Sequence, residues 1–355
     1  MRNYNYRKNW NDLLTPEIVK KLTLIHEYKG EQRLFIEAHK DELKELVEIA
    51  KVQSTEASNK IEGISTADDR LKNLVQAKTT PRNRDESEIA GYRDVLNTIH
   101  ENYEYIPITT NYILQLHRDL YKYTEKSIGG HFKVSQNVIA ATNEMGKEYV
   151  LFTPLAPYET PAAVDAICEN YNRMIGNQEM DSILLIPIFI HDFLCIHPFS
   201  DGNGRMSRLL TALLLYRSGY VVGKYVSIES KIAKNKDLYY MALEKCQEGW
   251  HDNKENVTPF IKYMLRIILA AYRDFEERIE LVSEKLPAKE IVRRAVYSKI
   301  GKLSKSDIAE LCPSIGTKSV ELALKQLVEE GILLKKGSGR ATFYVRSDSV
   351  GSIIP

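Results

Sequence analysis

From Ile183 to Ile196 the chain is almost wholly apolar, interrupted only by Pro187, His191 and Asp192. That run is too short and too polar to span a bilayer, so it reads as a helix buried on all sides. Such a helix needs a shell of others, and the remaining sequence supplies one. Apolar residues recur at three- and four-residue spacing over 31–53 (Leu34, Ile36, Leu43, Leu46, Val47, Ile49) and over 85–103 (Ile89, Tyr92, Val95, Leu96, Ile99), as on amphipathic helices. Further helices are expected over 109–120, 161–175, 206–218 (closed by Gly219) and 258–282. One interval breaks the pattern. Val134, Val138, Ile139, Tyr149, Val150 and Phe152 flank a polar turn at 142–146, which predicts a short β-hairpin in a mainly α protein.

With 355 residues the chain has room for two or three domains. Its net charge of +1 gives no global pull toward nucleic acid or a membrane. Cys168, Cys195, Cys246 and Cys312 are scattered, which disfavours a zinc site or a disulfide framework and fits a reducing cytoplasm. The first ten residues hold no apolar signal-peptide core. The expectation is a cytoplasmic location without a membrane partner.

The chemistry concentrates where the greasy helix ends, in His197, Pro198, Phe199, Ser200, Asp201, Gly202, Asn203, Gly204, Arg205, Met206, Ser207 and Arg208. Gly202 and Gly204 allow left-handed backbone angles that turn successive N–H groups inward. A helix opening at about Arg205 adds the positive end of its dipole, so the loop is suited to phosphates. Arg205 and Arg208 are three apart and neighbours on that helix. Two guanidiniums beside an anion cradle favour a polyphosphate. Asp201 offers a hard oxygen for Mg²⁺ bound with substrate phosphates, and His197 can take a proton near neutral pH. Taken singly, each feature is ordinary: a structural histidine, a turn, a solvated helix face. Together they describe phosphoryl or nucleotidyl transfer.

These residues resemble the Fic-domain signature H-P-F-x-D/E-G-N-G-R-x-x-R at every defined position. Gly130, His131, Phe132, Lys133, Gln136 and Asn137 resemble the start of the family's flap hairpin, and Pro154 and Pro157 its exit. Residues 188–193, Tyr239, Tyr240 and Thr258–Phe260 extend the likeness to roughly 90–275. The resemblance implies a helical bundle and transfer of AMP from Mg·ATP to a Tyr, Thr or Ser hydroxyl. It makes His197 the general base and Asp201 the Mg²⁺ ligand. It gives Gly202, Asn203, Gly204, Arg205 and Arg208 to the phosphates, and Tyr240 and Gln247 to the adenosine. Val138 and Ile139 would align the target backbone. His191 is read as a core histidine.

Upstream, Ser58, Glu62 and Gly63 fit S/T-x-x-x-E-G/N, the motif of that family's inhibitory helix, placed at about 54–63. The resemblance implies that Glu62 forms a two-pronged pair with Arg208. It thereby keeps the γ-phosphate out.

Beyond the core the expected order is helix (289–300), helix (305–311), turn (313–316), helix (317–330), then strands around 332–334 and 342–345. That order reads as a winged helix-turn-helix with a basic wing at Lys335, Lys336 and Arg340. Its second helix is nearly charge-balanced, with Lys318 and Lys325 against Glu321, Glu329 and Glu330. DNA and protein docking both stay open as its role. The organisation expected is therefore 1–89 (N-terminal helices), 90–282 (Fic core) and 289–355 (winged helix), with a boundary near 283–289. Expected partners are ATP, a target protein, a second copy of the chain and, through the C-terminal domain, DNA. Alternatives are transfer of another phosphate-bearing group, removal of AMP, or a DNA-binding regulator whose core senses nucleotide.

Overall fold

The structure, a computed structural model, describes residues 2, 4, 6, 13–124, 128–142, 146–283, 287–299, 301–312 and 315–347. These form two compact units, one of residues 1–30 with 50–271 and one of 31–49 with 272–355. The described residues are mainly helical, in chain order α1 (Pro16–Ala38), α2 (Lys40–Ile61), α3 (Asp68–Val75), α4 (Arg84–Asn102) and α5 (Thr110–Leu120). A hairpin follows, β1 (Ile139–Thr142) and β2 (Glu148–Phe152). Then come α6 (Thr160–Gly176), α7 (Ser182–Ile196), α8 (Asn203–Arg217), α9 (Ile228–Lys234), α10 (Lys236–Gln247) and α11 (Thr258–Ser283).

The first unit is organised around α7, the greasy helix. Asp181 caps it by accepting from the Ile183 N–H at 3.0 Å. Every residue from Ile183 to Ile196 is buried, Phe189 and Phe193 completely. Each such side chain contributes roughly 2–3 kcal/mol of apolar burial. α7 packs against α6 and α8, and α4 packs against α3, α5 and α8. Asn83 starts α4 by accepting from the Glu86 N–H at 2.9 Å. The hairpin is antiparallel, pairing Ala140 with Val150 and Thr142 with Glu148, with a bulge beside Ile139.

Several expectations shift. The helix read over 31–53 is two helices broken at His39. Hydrogen bonds still pass through the break, His39 to Phe35 and Leu43 to His39, which is why periodicity showed no boundary. α8 opens at Asn203 rather than Arg205, because Gly202 at φ 84° already turns the chain as its N-cap. Helix α1 begins at Pro16, well ahead of the reading over 31–53, and α3, α9 and α10 were not anticipated. Residues 143–145 of the hairpin turn, 284–286 of the boundary segment, Ile300, and 313–314 of the later turn lie outside the described residues.

In the second unit, α12 (Ala288–Tyr297), β3 (Leu303–Ser304), α13 (Lys305–Leu311), α14 (Thr317–Glu329), β4 (Leu333–Lys336) and β5 (Phe343–Arg346) surround a core of Val292, Ile308, Val320, Leu324, Leu327 and Leu333. The antiparallel sheet has the order β3-β5-β4. Ser304 and Asp307 form a reciprocal capping box at the start of α13. Lys335 and Lys336 are exposed on β4, and Arg340 lies in the turn Gly339–Ala341. No helix among the described residues is long and apolar enough to cross a membrane.

Candidate active site

The chemistry-bearing residues meet around a cleft of about 730 Å³ at the joint between α7 and α8, within the usual range for small-ligand sites. α7 ends because His197 turns left-handed, at φ 50° and ψ 62°, a conformation that costs a non-glycine residue roughly 1–3 kcal/mol. Its Nδ1 lies 3.2 Å from the Leu194 carbonyl. A carbonyl only accepts, so Nδ1 carries the proton and Nε2 keeps a lone pair. Burial pulls the imidazole pKa from 6.5 down to about 4, and Lys133 acts in the same direction. His197 is therefore neutral near pH 7.

The next turn builds an anion cradle. Gly202 is left-handed, and a Cβ there would meet the Tyr121 hydroxyl at 2.9 Å, so glycine is required twice over. As N1 to N3 of α8, Asn203, Gly204 and Arg205 present backbone N–H groups without intrahelical acceptors. The Met206 N–H makes the first helical bond, to Gly202 O at 2.9 Å. The Asn203 side chain is spent within the loop. It accepts from the Phe199 N–H at 2.9 Å and donates to the Phe199 carbonyl at 2.7 Å.

Asp201 lines the cleft with its carboxylate 40% exposed, 3.8 Å from both the Arg84 and Arg205 guanidiniums. Among the described residues no cluster of three or more His, Cys, Asp or Glu side chains could hold a metal ion on its own. A single accessible carboxylate fits Mg²⁺, which takes one or two protein oxygens and completes its shell with water and substrate phosphates. The Asp201 backbone is pinned from below. Gly130 N–H donates to His117 Nδ1 at 3.0 Å, so His117 Nε2 carries the proton and donates to the Asp201 carbonyl at 3.0 Å. The His117 ring stacks on Phe199 at 3.6 Å.

The two arginines differ in setting. Arg205 is 1% exposed, 2.8 Å from Glu88 and donating to the Tyr121 hydroxyl at 2.7 Å. Arg208 is held by the end of α2: its Nε donates to Ser58 Oγ at 2.7 Å, and its Nη2 to the Ser58 carbonyl at 2.9 Å and to Glu62 Oε1 at 2.7 Å. The pair with Glu62 is thus single-pronged, not the two-pronged one expected, because Ser58 takes the Nε arm. Gly63, at φ 79°, ends α2, with the Gly63 and Ile64 N–H groups bonded back to Lys60 and Asn59. That turn aims Glu62 over the cradle: a Cβ on Gly204 would lie 2.2 Å from Glu62 Oε1.

Tyr240, Gln247 and Ile139 line the cleft, whereas Val138 is 51% exposed outside that lining. Tyr239 is buried against Phe260 and Tyr263. His191 lies in the core, 3.5 Å from the Cys195 sulfur.

Residues 107–215 match the model of the Fic/DOC family. This chain carries a Fic domain. Over about 190 residues, half of the chain, it is 26% identical to the protein adenylyltransferase Fic of Drosophila yakuba and 24% to that of Drosophila melanogaster. The chain spans about a third of the length of these curated relatives (32% and 33%). A Fic family protein from Desulfovibrio desulfuricans shares the fold over 96% of this chain and 98% of its own, at 19% identity and a TM-score of 0.60. A Fic domain containing signaling protein from Bacteroides thetaiotaomicron matches 72% of this chain and 98% of its own (22% identity, TM-score 0.61).

The residues matched to the Fic domain contain His197, the cradle, Arg208 and the flap; Ser58, Glu62, Gly63, Tyr240 and Gln247 lie outside them. Sequence reading missed the supports of the Fic domain. Glu88, His117 and Tyr121 are ordinary members of helical faces, and only the fold shows that they converge on Arg205 and Asp201. The signal for His117 was a polar ring on the apolar Leu116/Leu120 side of α5.

Proposed function

We propose that this chain is an auto-inhibited protein adenylyltransferase, moving AMP from Mg·ATP to a Tyr, Thr or Ser hydroxyl of a target protein and of itself. The observation that carries the reading is a histidine whose Nδ1 is spent on the Leu194 carbonyl, which leaves Nε2 to accept a proton, on the lining of the same cleft as the anion cradle. In the reaction the target hydroxyl gives its proton to His197 Nε2 while its oxygen bonds the α-phosphorus. The bond from that phosphorus to the bridging oxygen breaks, and pyrophosphate leaves. The N–H groups of Asn203, Gly204 and Arg205 stabilise charge that grows on the phosphate oxygens. Asp201 would hold Mg²⁺, which when bound would supply Lewis-acid charge compensation for the phosphates. Tyr240 and Gln247 take the adenosine, and Val138 with Ile139, where β1 begins, aligns the target backbone. Arg208 takes the γ-phosphate once Glu62 has left it. While Glu62 stays, ATP binds with its α-phosphorus out of line.

Beyond the core, we propose the C-terminal unit as a winged helix-turn-helix whose basic wing contacts DNA or protein.

The test is to incubate wild type and Glu62→Gly with Mg²⁺ and ATP labelled at the α- or the γ-phosphate. Protein-bound label from the α position only, stronger in Glu62→Gly, is expected. Retention of γ label, or no label in either protein, overturns the reading.

A further inference from the structure

Four consecutive backbone carbonyls, of residues 196–199, surround the catalytic histidine, and the irregular segment that leads into the flap donates to all four. Lys133 Nζ donates to Ile196 O at 3.0 Å, and the Lys133 N–H to Pro198 O at 2.9 Å. Asn137 Nδ2 donates to His197 O at 3.3 Å and to Phe199 O at 3.0 Å. The two side chains also bind each other, Lys133 Nζ to Asn137 Oδ1 at 2.8 Å. Lys133 is 2% exposed and makes no ion pair among the described residues. A buried ammonium without a counter-ion is costly and is retained only where something else holds it. Here that is the negative end of α7, at Ile196, together with the Asn137 amide. Gln136 ties the same segment to the hairpin exit, donating to Pro154 O at 3.0 Å.

We propose that Lys133 and Asn137 are positioning residues, a two-residue clamp that keeps His197 left-handed and makes the flap and the base one body. His197 is strained where it stands. The hydrogen bond from its own N–H, to Phe193 O at 2.9 Å, would survive relaxation of the next residues. The Phe199 carbonyl would keep its bond from Asn203 Nδ2, but the carbonyls of Ile196, His197 and Pro198 would lose the donors that fix them. β1 begins two residues after Asn137, so a target strand laid on β1 is registered against the base through this clamp. The inference rests on the proposed role of His197.

The test uses the full chain in a Glu62→Gly background, comparing Lys133→Met, Lys133→Arg and Asn137→Ala. Met keeps an apolar stem without the buried charge, and Arg keeps donors for Ile196 O. Expected are a fall in kcat of roughly 10–100-fold for Lys133→Met and Asn137→Ala, Mg·ATP affinity within about 3-fold of the parent, and recovery of most of kcat in Lys133→Arg. In histidine-labelled protein, the His197 ring signal (assigned by its loss in His197→Ala) should be single in the parent and broadened or split in Lys133→Met. An unchanged kcat with an unchanged ring signal overturns the clamp. So does a loss shared equally by kcat and nucleotide affinity. Absence of transfer in the parent itself overturns the functional reading instead, and the ring signal still decides the clamp.

Discussion

His197 has one proton-accepting nitrogen to offer, because Leu194 fixes the other as a donor. His197→Ala should therefore cut α-phosphate transfer by ~10²–10⁴-fold. Its Mg·ATP dissociation constant, read by calorimetry, should stay within a few-fold, since the cradle is backbone and remains. A parallel loss of binding would move His197 from the chemistry to the scaffold. Gly204 gives a second test at this scale. An added methyl meets Glu62 Oε1 at 2.2 Å, although alanine suits a helix better than glycine by about 1 kcal/mol. Gly204→Ala should thus destabilise the wild type by roughly 1–2 kcal/mol through overpacking, yet be neutral or stabilising in Glu62→Gly. The urea midpoints of the four proteins in that cycle decide it, and equal shifts in both backgrounds would show that Glu62 is not the obstacle.

Among the elements, the end of α2 governs the proposed restraint. Glu62→Gly removes one of three contacts to Arg208, the one that stands over the cradle, and should raise AMP incorporation by up to ~10²-fold. Ser58→Ala removes only the bond to Nε and should release much less. Glu62→Gly/Arg208→Ala should fall back toward the wild type, because the γ-phosphate loses its ligand. A double variant as fast as Glu62→Gly would remove Arg208 from the restraint. These contacts also show what was legible in the sequence. The shape of the turn from His197 to Arg208 was, because glycine, carboxylate, histidine and arginine fall within one stretch whose local geometry their types dictate. The core helix α7 was, because apolar residues on every face leave it no surface to expose. The break at His39 was not, since apolar spacing carries across it. Nor were Glu88, His117 and Tyr121, whose role depends on which helices become neighbours. The Ser58 contribution to Arg208 was invisible for a related reason: half of it is a backbone carbonyl, which every residue has.

At the level of the whole molecule, acid should weaken the fold earlier than carboxylates alone would. Burial holds His100 and His191 at about 3, below the ordinary 6.5. The unfolded chain therefore binds more protons than the native one between those values, so stability rises with pH there and is lost as pH falls below 6.5. At pH 5 each histidine costs about 2 kcal/mol relative to pH 7.5. Urea midpoints at the two pH values should show the drop, and His191→Leu should flatten it; an identical slope in that variant would assign the acid sensitivity elsewhere. The position of Glu62 above Gly204 has one more consequence. A carboxylate tethered to the same chain competes at a fixed effective concentration, in the millimolar range or higher, which dilution does not change. Under the proposed function, the supply of nucleotide then sets the switch only weakly. Whatever pulls the end of α2 away, by as little as one helical turn, sets it strongly.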